Sequence, residues 1–425
     1  NFGVYDYESV DDFLSSLRGN PVEPDFFTRG YSLVDDMTGD ASNAAGKFKA
    51  MQIGFYVQDE YQATERLRLT GGLRVDVPKI LDDPIFAPDV MTTTIPAIEA
   101  NADLKGARPG QVPKASLYFS PRLGFNYDVL GDRTVQVRGG LGFFTGRVPF
   151  VWPGGMFTNN GATVGRISGT TLPDGSPVPF VADPTQGLTS SDVDPTQEDI
   201  PSGRLEMFEE DYKYPRVFRT SLGVDYDFGG GVVGTLEGQY TKNVSNIVVR
   251  NLNLNIGEFG FLPDAVETMD GPDNRPFLTG DVFVDPRYEA IHVVGNTSKG
   301  YAYDVTAALT GSFDDVISDG DRVSFNLSYT YGTAEAVNDG TSSQINSNWR
   351  TVEIADRLPN NPGLSRSDFA IGSRILAGVT FRKAFLQNLA TTASILYTGE
   401  SGALFNYTMD RSPIGGGFRD YALVY

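Results

Sequence analysis

Residues 322–332 read Arg322-Val323-Ser324-Phe325-Asn326-Leu327-Ser328-Tyr329-Thr330-Tyr331-Gly332, so that apolar and polar side chains alternate along the whole segment. Successive side chains of a β-strand point to opposite faces, and a period of two residues therefore predicts a strand with one apolar and one polar face. A half-buried strand of a soluble β-sandwich has the same period. This segment alone predicts a strand and does not place it in a membrane.

The same alternation recurs along most of the chain, with strongly aromatic apolar faces. It is clear in residues 122–129, 134–143 and 218–228. Charged residues enter these segments at one phase only, as expected where one face lines a wet interior and the other meets lipid. The pattern predicts an all-β fold, an antiparallel transmembrane β-barrel, with about 12 to 13 strands visible in this chain.

The connections between the predicted strands alternate between short and long. Short ones lie near residues 63–66, 130–132, 229–231, 314–320 and 383–387, and long ones span residues 78–115, 147–213, 256–284 and 334–365. Bacterial outer-membrane barrels have short periplasmic turns and long extracellular loops. We therefore predict that the long connections are extracellular.

The predicted strands are residues 1–7, 25–35, 48–61, 67–77, 117–129, 133–146, 214–228, 232–254, 286–313, 322–335, 366–382 and 388–402, with a thirteenth near Tyr421. Residues 9–18 carry apolar side chains at helical spacing, which predicts a short amphipathic helix among the early turns.

Composition excludes several classes of protein. The chain has 425 residues and no cysteine, so neither disulfides nor thiolate metal sites can form. The formal net charge of −20 argues against a nucleic-acid partner, because binding phosphates requires clustered Lys and Arg. No run of about 18 or more apolar residues indicates a membrane helix.

Acidic residues are concentrated between the strands, and we interpret them as a solvated loop surface. The largest group is Asp192, Asp194, Glu198, Asp199, Glu206, Glu209, Glu210 and Asp211. A cation or ligand role is the alternative. Two smaller groups have the oxygen ligands that Ca²⁺ uses, although turn chemistry also accounts for them: Asp35, Asp36 and Asp40, and Asp315, Asp319 and Asp321.

The most suggestive loop segment opens the longest connection and carries one of the two tryptophans. Its candidate ligand-binding residues are Arg147, Phe150, Trp152, Phe157, Asn159 and Asn160. Aromatic rings beside amides bind sugars or peptides by stacking and hydrogen bonding. The alternative is an interfacial anchor or loop packing.

No catalytic constellation is apparent, and we predict that the chain is not an enzyme and needs neither a cofactor nor a metal. His292 is the only histidine, and its neighbours Ile291, Val293 and Val294 indicate a structural strand residue. A hydrolase would require His292 to face a carboxylate and a serine at the rim.

Two hairpins and one later segment resemble those of TonB-dependent outer-membrane receptors. The first hairpin contains Gly54-Phe55-Tyr56-Val57-Gln58-Asp59-Glu60-Tyr61 and continues through residues 67–76; the second joins residues 119–125 to 138–144. Asn296-Thr297-Ser298-Lys299-Gly300-Tyr301 is similar to the branch that carries a carboxypeptidase-regulatory-like domain ahead of the plug. The resemblance implies a barrel of about 22 strands with an internal plug and a TonB-binding segment.

This chain has neither of those two parts in recognisable form. We therefore expect residues 1–425 to be part of a single outer-membrane barrel domain, with the plug and N-terminal regions outside this chain and Tyr425 at a truncated end. The alternative is a smaller barrel without a plug, closed by an aromatic final strand.

Three hypotheses for function follow. The first is a bacterial outer-membrane receptor that binds a nutrient at the cell surface and imports it with energy supplied through TonB. It implies contact with lipid and lipopolysaccharide, with TonB through a region absent here, with an extracellular ligand, and with other surface proteins. The second is a structural or scaffold barrel in an outer-membrane secretion or attachment complex. The third, an outer-membrane hydrolase, depends on His292.

Overall fold

The structure is a computed structural model that describes residues 3–35, 42–172, 174–183, 186–188, 203–254, 266–268, 276–278, 283–350, 360–386, 389–402, 405, 407–409 and 422–423. The strands are β1 (Val4–Asp6), β2 (Phe26–Ser32), β3 (Ala50–Gln62), β4 (Leu67–Ile80), β5 (Tyr118–Asp128), β6 (Val135–Thr145), β7 (Val164–Ser168), β8 (Arg204–Phe208), β9 (Arg216–Gly229), β10 (Val232–Asn251), β11 (Val266–Thr268), β12 (Pro276–Leu278), β13 (Ala290–Thr297), β14 (Tyr301–Asp314), β15 (Asp321–Ala336), β16 (Ser365–Arg366), β17 (Gly372–Leu386), β18 (Leu389–Glu400), β19 (Thr408–Met409) and β20 (Ala422–Leu423). The helices are α1 (Val10–Leu17), α2 (Ile95–Glu99), α3 (Val151–Gly155) and α4 (Ile345–Arg350), with a 3-10 turn at Ser42–Ala44 and a π-helical turn at Val90–Thr94.

Within the described residues, ten long strands form one antiparallel meander. Their order is β3-β4-β5-β6-β9-β10-β14-β15-β17-β18, and β8, β13 and β16 extend the sheet to 13 strands. Each long strand pairs with the next one along the chain, and short and long connections alternate between them. This confirms the predicted antiparallel architecture.

One face of the meander is apolar and open to the surroundings. Cross-strand pairs place Leu309 beside Leu327, and Leu123 beside Leu141, on this face. Many of its large side chains are exposed, for example Phe55, Leu222 and Leu327. An apolar surface that continues from strand to strand is typical of contact with lipid.

The opposite face is polar and internally hydrogen-bonded. Arg138 Nε donates to Asp225 Oδ2 at 2.9 Å, and its Nη1 lies 2.6 Å from Glu237 Oε2. Thr306 and Thr330 form a hydroxyl pair at 2.8 Å on the neighbouring strands β14 and β15. The two faces therefore divide the side chains as the two-residue period predicts.

The buried core lies in the long connections, at one end of the meander. We call this assembly the loop layer; it comprises β8, β13, residues 246–251 of β10, and helices α2, α3 and α4. Strand β13 pairs antiparallel with β10 and parallel with β8. The first apolar cluster contains Ile80, Val148, Trp152, Met156, Phe208, Tyr212, Ile247, Val249, Leu254, Val294, Ile345 and Trp349. The second contains Val90, Ile95, Ile98, Leu104, Ala107, Leu205, Met207, Leu252, Tyr288, Ile291 and Val293.

Helices are short and lie outside the meander. Helix α1 confirms the predicted amphipathic helix; it begins after Ser9, whose side chain accepts a hydrogen bond from the Asp12 backbone N–H. None of the described helices is both long and apolar enough to cross a membrane.

Three sequence-based boundaries differ from the structure. Strands β1 and β2 were predicted as barrel strands, but they form a separate three-stranded sheet with β7. The single strand predicted for residues 286–313 is divided into β13 and β14, because Gly300 between them has a φ of 106°. The strand predicted near Tyr421 is the short β20, which pairs with β19 and lies outside the large sheet.

The acidic turn between β14 and β15 is held by its own backbone. The carboxylate of Asp321 accepts hydrogen bonds from the backbone N–H groups of Val316, Ile317 and Ser318. Asp35 likewise accepts from the N–H groups of Asn43 and Ala44. These contacts are ordinary turn chemistry; Asp36 and Asp40 lie outside the described residues.

Candidate functional site

The candidate ligand segment follows β6 and forms helix α3 within the loop layer. Trp152 is its anchor: the side chain is only 3% exposed, and Nε1 donates to the backbone oxygen of Ser342 at 3.2 Å. Ser342 belongs to the connection after β15, so the tryptophan joins two long connections that are distant in sequence. Its ring lies in the first apolar cluster and does not offer a free stacking face.

The two phenylalanines of the segment meet a third ring, that of Phe48. Phe157 stacks on Phe48 with ring centroids 4.9 Å apart, and Phe150 meets it edge-on at 6.0 Å. Phe150 is 62% exposed, whereas Phe157 is partly buried. The three rings form an aromatic group beside the start of β3, and Phe150 is its most accessible member.

The two asparagines differ in what they can offer a ligand. Asn160 is buried, and its side chain is occupied: Nδ2 donates to Thr163 Oγ1 at 2.8 Å, and Oδ1 accepts from the backbone N–H groups of Ala162 and Thr163. Asn159 is partly exposed, and its side chain lowers the pKa of the Glu206 carboxyl. Arg147 is exposed at the end of β6. The accessible candidates are therefore Arg147, Phe150, Phe157 and Asn159.

The acidic group that includes Glu206 and Glu209 was predicted to be a solvated surface, and for these two residues that prediction is wrong. Both are buried, because β8 and the residues after it pack into the loop layer. Arg250 Nη2 lies 3.0 Å from Glu209 Oε1, and Lys105 Nζ lies 3.2 Å from the same oxygen. Asp192, Asp194, Glu198 and Asp199 lie outside the described residues.

Glu206 has a different environment from Glu209. Burial raises the pKa of its carboxyl to about 7, while the hydrogen bond from Asn159 and the positive charge of Arg204 act in the opposite direction. The carboxyl lies against Gly155, where a Cβ atom would be 1.7 Å from Glu206 Oε2. The glycine at the end of α3 therefore makes room for the acid.

Glu206 also lines a narrow cleft between β8, the residues after α3 and the connection from β4 to β5. The other walls include Pro84, Pro109, Met156, Asn159 and Met207, and the space between them has room for about one water molecule. Because two prolines, two methionines and one leucine line it, the cleft is largely apolar around its polar groups. No sequence pattern pointed to it, since its walls come from separate connections.

His292 lies in the interior of the loop layer. Its imidazole is fully buried, neither ring nitrogen has a hydrogen-bond partner within the described part of the chain, and its ring lies 5.9 Å from that of Trp349. Burial lowers its pKa to about 3, and the charges of Arg204 and Arg350 act in the same direction. The rim position that a hydrolase would require is not where His292 lies.

The model of a family described as "Outer membrane beta barrel domain" matches residues 10–406. The chain belongs to this outer membrane β-barrel family. It therefore resides in the bacterial outer membrane, where the apolar face of its meander contacts lipid and lipopolysaccharide.

Solved structures of outer-membrane proteins are also similar to this β-barrel chain. The outer membrane transporter YddB from Escherichia coli has 9% identity and a TM-score of 0.40, over 78% of this chain and 31% of that one. The siderophore receptor PirA from Pseudomonas aeruginosa has 14% identity and a TM-score of 0.33, over 82% and 45%. A mutant of the ferric enterobactin receptor PfeA from the same organism has 12% identity and a TM-score of 0.36, over 93% and 48%.

The chain thus spans between 31% and 48% of the length of these three proteins. No curated protein matches it in sequence.

Proposed function

We propose that this chain is barrel-forming sequence of a receptor and transporter of the TonB-dependent type, which binds a nutrient at the cell surface and imports it with energy supplied through TonB. Membership of the outer membrane β-barrel family supports the location. The receptor-like hairpins at residues 54–76 and 119–144 support the type. The contribution of the protein would be selective binding and gating, with no covalent chemistry.

The observation that carries the proposal is the packed loop layer at one end of the meander. The connections β4–β5, β6–β9, β10–β14 and β15–β17 all contribute buried residues to it, among them Ile98, Trp152, Ile291 and Trp349. Loops held on a rigid scaffold are common sites of ligand recognition. A folded layer above a polar-faced sheet suits a receptor that selects its ligand before passing it inward.

Strands β3 and β18 end the meander, and within the described residues each pairs on one side only. We propose that residues 1–425 are part of a single larger barrel domain, whose plug and TonB-binding segment lie elsewhere in the protein. The carboxypeptidase-regulatory-like branch remains a prediction from residues 296–301.

The ligand would meet the segment around α3. Arg147, Phe150, Phe157 and Asn159 have accessible side chains there and are proposed as direct contacts. Trp152 and Asn160 are buried with their polar atoms bonded within the protein, and are proposed to position the segment.

Growth under nutrient limitation tests this function. A strain lacking the gene and a strain lacking TonB would be compared with the wild type on iron chelates, peptides and oligosaccharides, each supplied as the limiting nutrient. We expect both deletions to fail on one shared nutrient, and complementation by the Phe150→Ala variant to be weaker than by wild type. Growth of the gene-deletion strain on every nutrient, together with loss of a surface protein from its outer membrane, would favour the scaffold alternative.

A further inference from the structure

Two basic side chains face outward at the end of the meander that carries the loop layer. Arg216 begins β9 and pairs with Thr145 of β6, and Lys242 of β10 pairs with Phe218 of β9. Arg216 and Phe218 share the phase of Leu222, which is 57% exposed on the apolar face. Both cations therefore lie on the side of the sheet that contacts lipid, and both are partly exposed.

Arg216 and Lys242 are close enough to hold one ligand together. Lys242 pairs with Phe218, and Arg216 precedes Phe218 by two positions on the same face. Such diagonal neighbours on adjacent strands lie about 7–8 Å apart, which long side chains can span. The guanidinium carbon of Arg216 lies 4.5 Å from the ring centroid of Phe143, and this cation–π contact holds the side chain against the outer face.

Neither cation is neutralised by a carboxylate. Arg216 donates from Nη2 to the backbone oxygen of Phe119, and Lys242 donates from Nζ to the backbone oxygen of Gly300 at 3.2 Å. Within the described part of the chain, neither of the two forms an ion pair. A guanidinium has five N–H donors and an ammonium has three, so both groups keep donors for a ligand.

Carboxylates are scarce on the outward face around the two cations. The outward positions of β5, β6, β9 and β14 carry no Asp or Glu, and neither do those of β10 from Val232 to Lys242. Glu335 of β15 shares a row with Lys242, but Tyr301 of β14 lies between them. Two strand spacings of about 4.8 Å put the two backbones about 10 Å apart. In a chain with a net charge of −20, these two cations are a local positive site.

The height of the two cations matches the upper boundary of the hydrocarbon core. From Arg216 to Phe228, beside the short turn, β9 is about 40 Å long, and a strand tilt of roughly 40° reduces this to a height of about 30 Å. All outward positions between them are uncharged. The apolar band of outer-membrane barrels is about 25 Å tall, and their long connections are extracellular. Arg216 and Lys242 therefore lie level with the headgroups of the outer leaflet.

We propose that Arg216 and Lys242 bind a phosphate group of lipopolysaccharide on the outer wall of the sheet. An arginine can donate two parallel N–H bonds to a phosphate, and a lysine adds a compact positive charge. Phe143, Phe218 and Tyr240 lie on the same face on the membrane side of the cations, where the acyl chains of that lipid would pack. A lipid is a better occupant than free phosphate, because the site continues directly into the lipid-facing surface. The inference goes beyond the proposed function, since it involves neither the loop layer nor TonB.

Lipid binding to the purified full-length protein in a non-ionic detergent tests the inference. Native mass spectrometry would count bound molecules during titration with diphosphorylated lipid A, and with the same lipid A after enzymatic removal of its phosphates. We expect the wild type to bind the phosphorylated form at least about tenfold more tightly. The preference should weaken as ammonium acetate is raised from about 100 to about 500 mM, because salt screens exposed charges. This comparison does not depend on any variant folding.

Single substitutions locate the site. Arg216→Gln and Lys242→Gln should each weaken the binding of phosphorylated lipid A by roughly fivefold or more. Arg219→Gln is the matched control, because it removes the same charge from the same strand. Arg219 faces the polar side of the sheet, where its Nε donates to Thr241 Oγ1 at 3.1 Å, so its loss should leave lipid binding unchanged.

Two further ligands identify the source of the phosphate. An excess of inorganic phosphate should leave lipid A bound, and phosphatidylglycerol should bind more weakly, because it has fewer acyl chains to cover the outward faces of β6, β9 and β10. Equal binding of the two forms of lipid A, displacement by inorganic phosphate, equal binding of phosphatidylglycerol, or an equal loss in Arg219→Gln would overturn the inference. These titrations involve no nutrient and no TonB, so their failure is distinguishable from failure of transport.

Discussion

Glu206 and His292 occupy directly paired positions on the parallel strands β8 and β13, and both side chains are buried. Paired positions on neighbouring strands present their side chains on the same face of a sheet. An acid whose protonated form is favoured therefore lies beside a histidine whose neutral form is favoured. The local sequence shows neither the pairing of β8 with β13 nor its effect on the pH dependence of stability.

The first prediction is that these two groups have opposite effects on the pH dependence of stability. The pKa of Glu206 is raised to about 7. Its contribution to the free energy of unfolding is therefore complete below about pH 4.5 and is lost as the pH rises through 7. The pKa of His292 is lowered to about 3, so its contribution is complete above about 6.5 and is lost as pH falls toward 3. Between about pH 4.5 and 6.5, the two groups change the free energy of unfolding with pH in opposite directions, and their effects cancel.

The Glu206→Gln variant loses the pH dependence of stability that comes from Glu206 and keeps the one that comes from His292. As pH falls from 7 to 4.5, the free energy of unfolding of the wild type should rise relative to that of Glu206→Gln by about 1.4 kcal/mol per pH unit. Urea unfolding followed by tryptophan fluorescence measures this difference for the loop layer, since both tryptophans of the chain, Trp152 and Trp349, belong to its core. If the free energies of unfolding of the two proteins changed with pH in parallel, the raised pKa of Glu206 would be refuted.

The second prediction concerns the contact between Gly155 and Glu206. A methyl group at position 155 would collide with the carboxyl, so Gly155→Ala should destabilise the loop layer by roughly 1–3 kcal/mol. Gly154→Ala is the matched control, because a Cβ there meets only Phe48 at an ordinary 3.5 Å. Glu206→Ala in the Gly155→Ala background should recover part of the loss in the same urea assay. Equal losses of stability at positions 154 and 155 would contradict a close contact between Gly155 and the Glu206 carboxyl.

The third prediction separates anchoring from ligand contact in the α3 segment. Trp152→Ala should cost roughly 3–5 kcal/mol, because it empties a buried site and removes the hydrogen bond to Ser342. Phe150→Ala should cost well under about 1 kcal/mol, since its ring is mostly exposed. The fluorescence of Trp349 during urea unfolding measures the stability of both variants. A stability loss on Phe150→Ala as large as that on Trp152→Ala would show that Phe150 is also an anchor.

The alternation of side chains was sufficient to predict the meander, because a strand that meets lipid on one face and polar surroundings on the other must repeat every two residues. The segment at residues 322–332 illustrates this, and it lies within β15. The short turns were predictable for a similar reason, since each joins two such segments directly.

The loop layer was not predictable in the same way, because its stability comes from contacts between distant residues. Strand β8 has only five residues, and its parallel partner β13 lies more than 80 positions later. Trp152 was a candidate for ligand binding, with an interfacial anchor or loop packing as the alternative, because its sequence neighbours do not show its hydrogen bond to Ser342. Strands β1 and β2 have strand-like sequence, but nothing local specifies that β7 is their partner.

Cysteine accessibility along β15 tests the central claim most directly. The chain has no cysteine of its own, so single substitutions can be introduced at Ser324, Phe325, Asn326, Leu327, Ser328 and Tyr329 of the full-length protein in outer-membrane vesicles. A charged, water-soluble thiol reagent should modify positions 324, 326 and 328, while fluorophores attached at 325, 327 and 329 should be quenched by nitroxide-labelled lipid. Equal labelling at every position, or lipid quenching at the even-numbered ones, would contradict a barrel strand with one lipid-facing side.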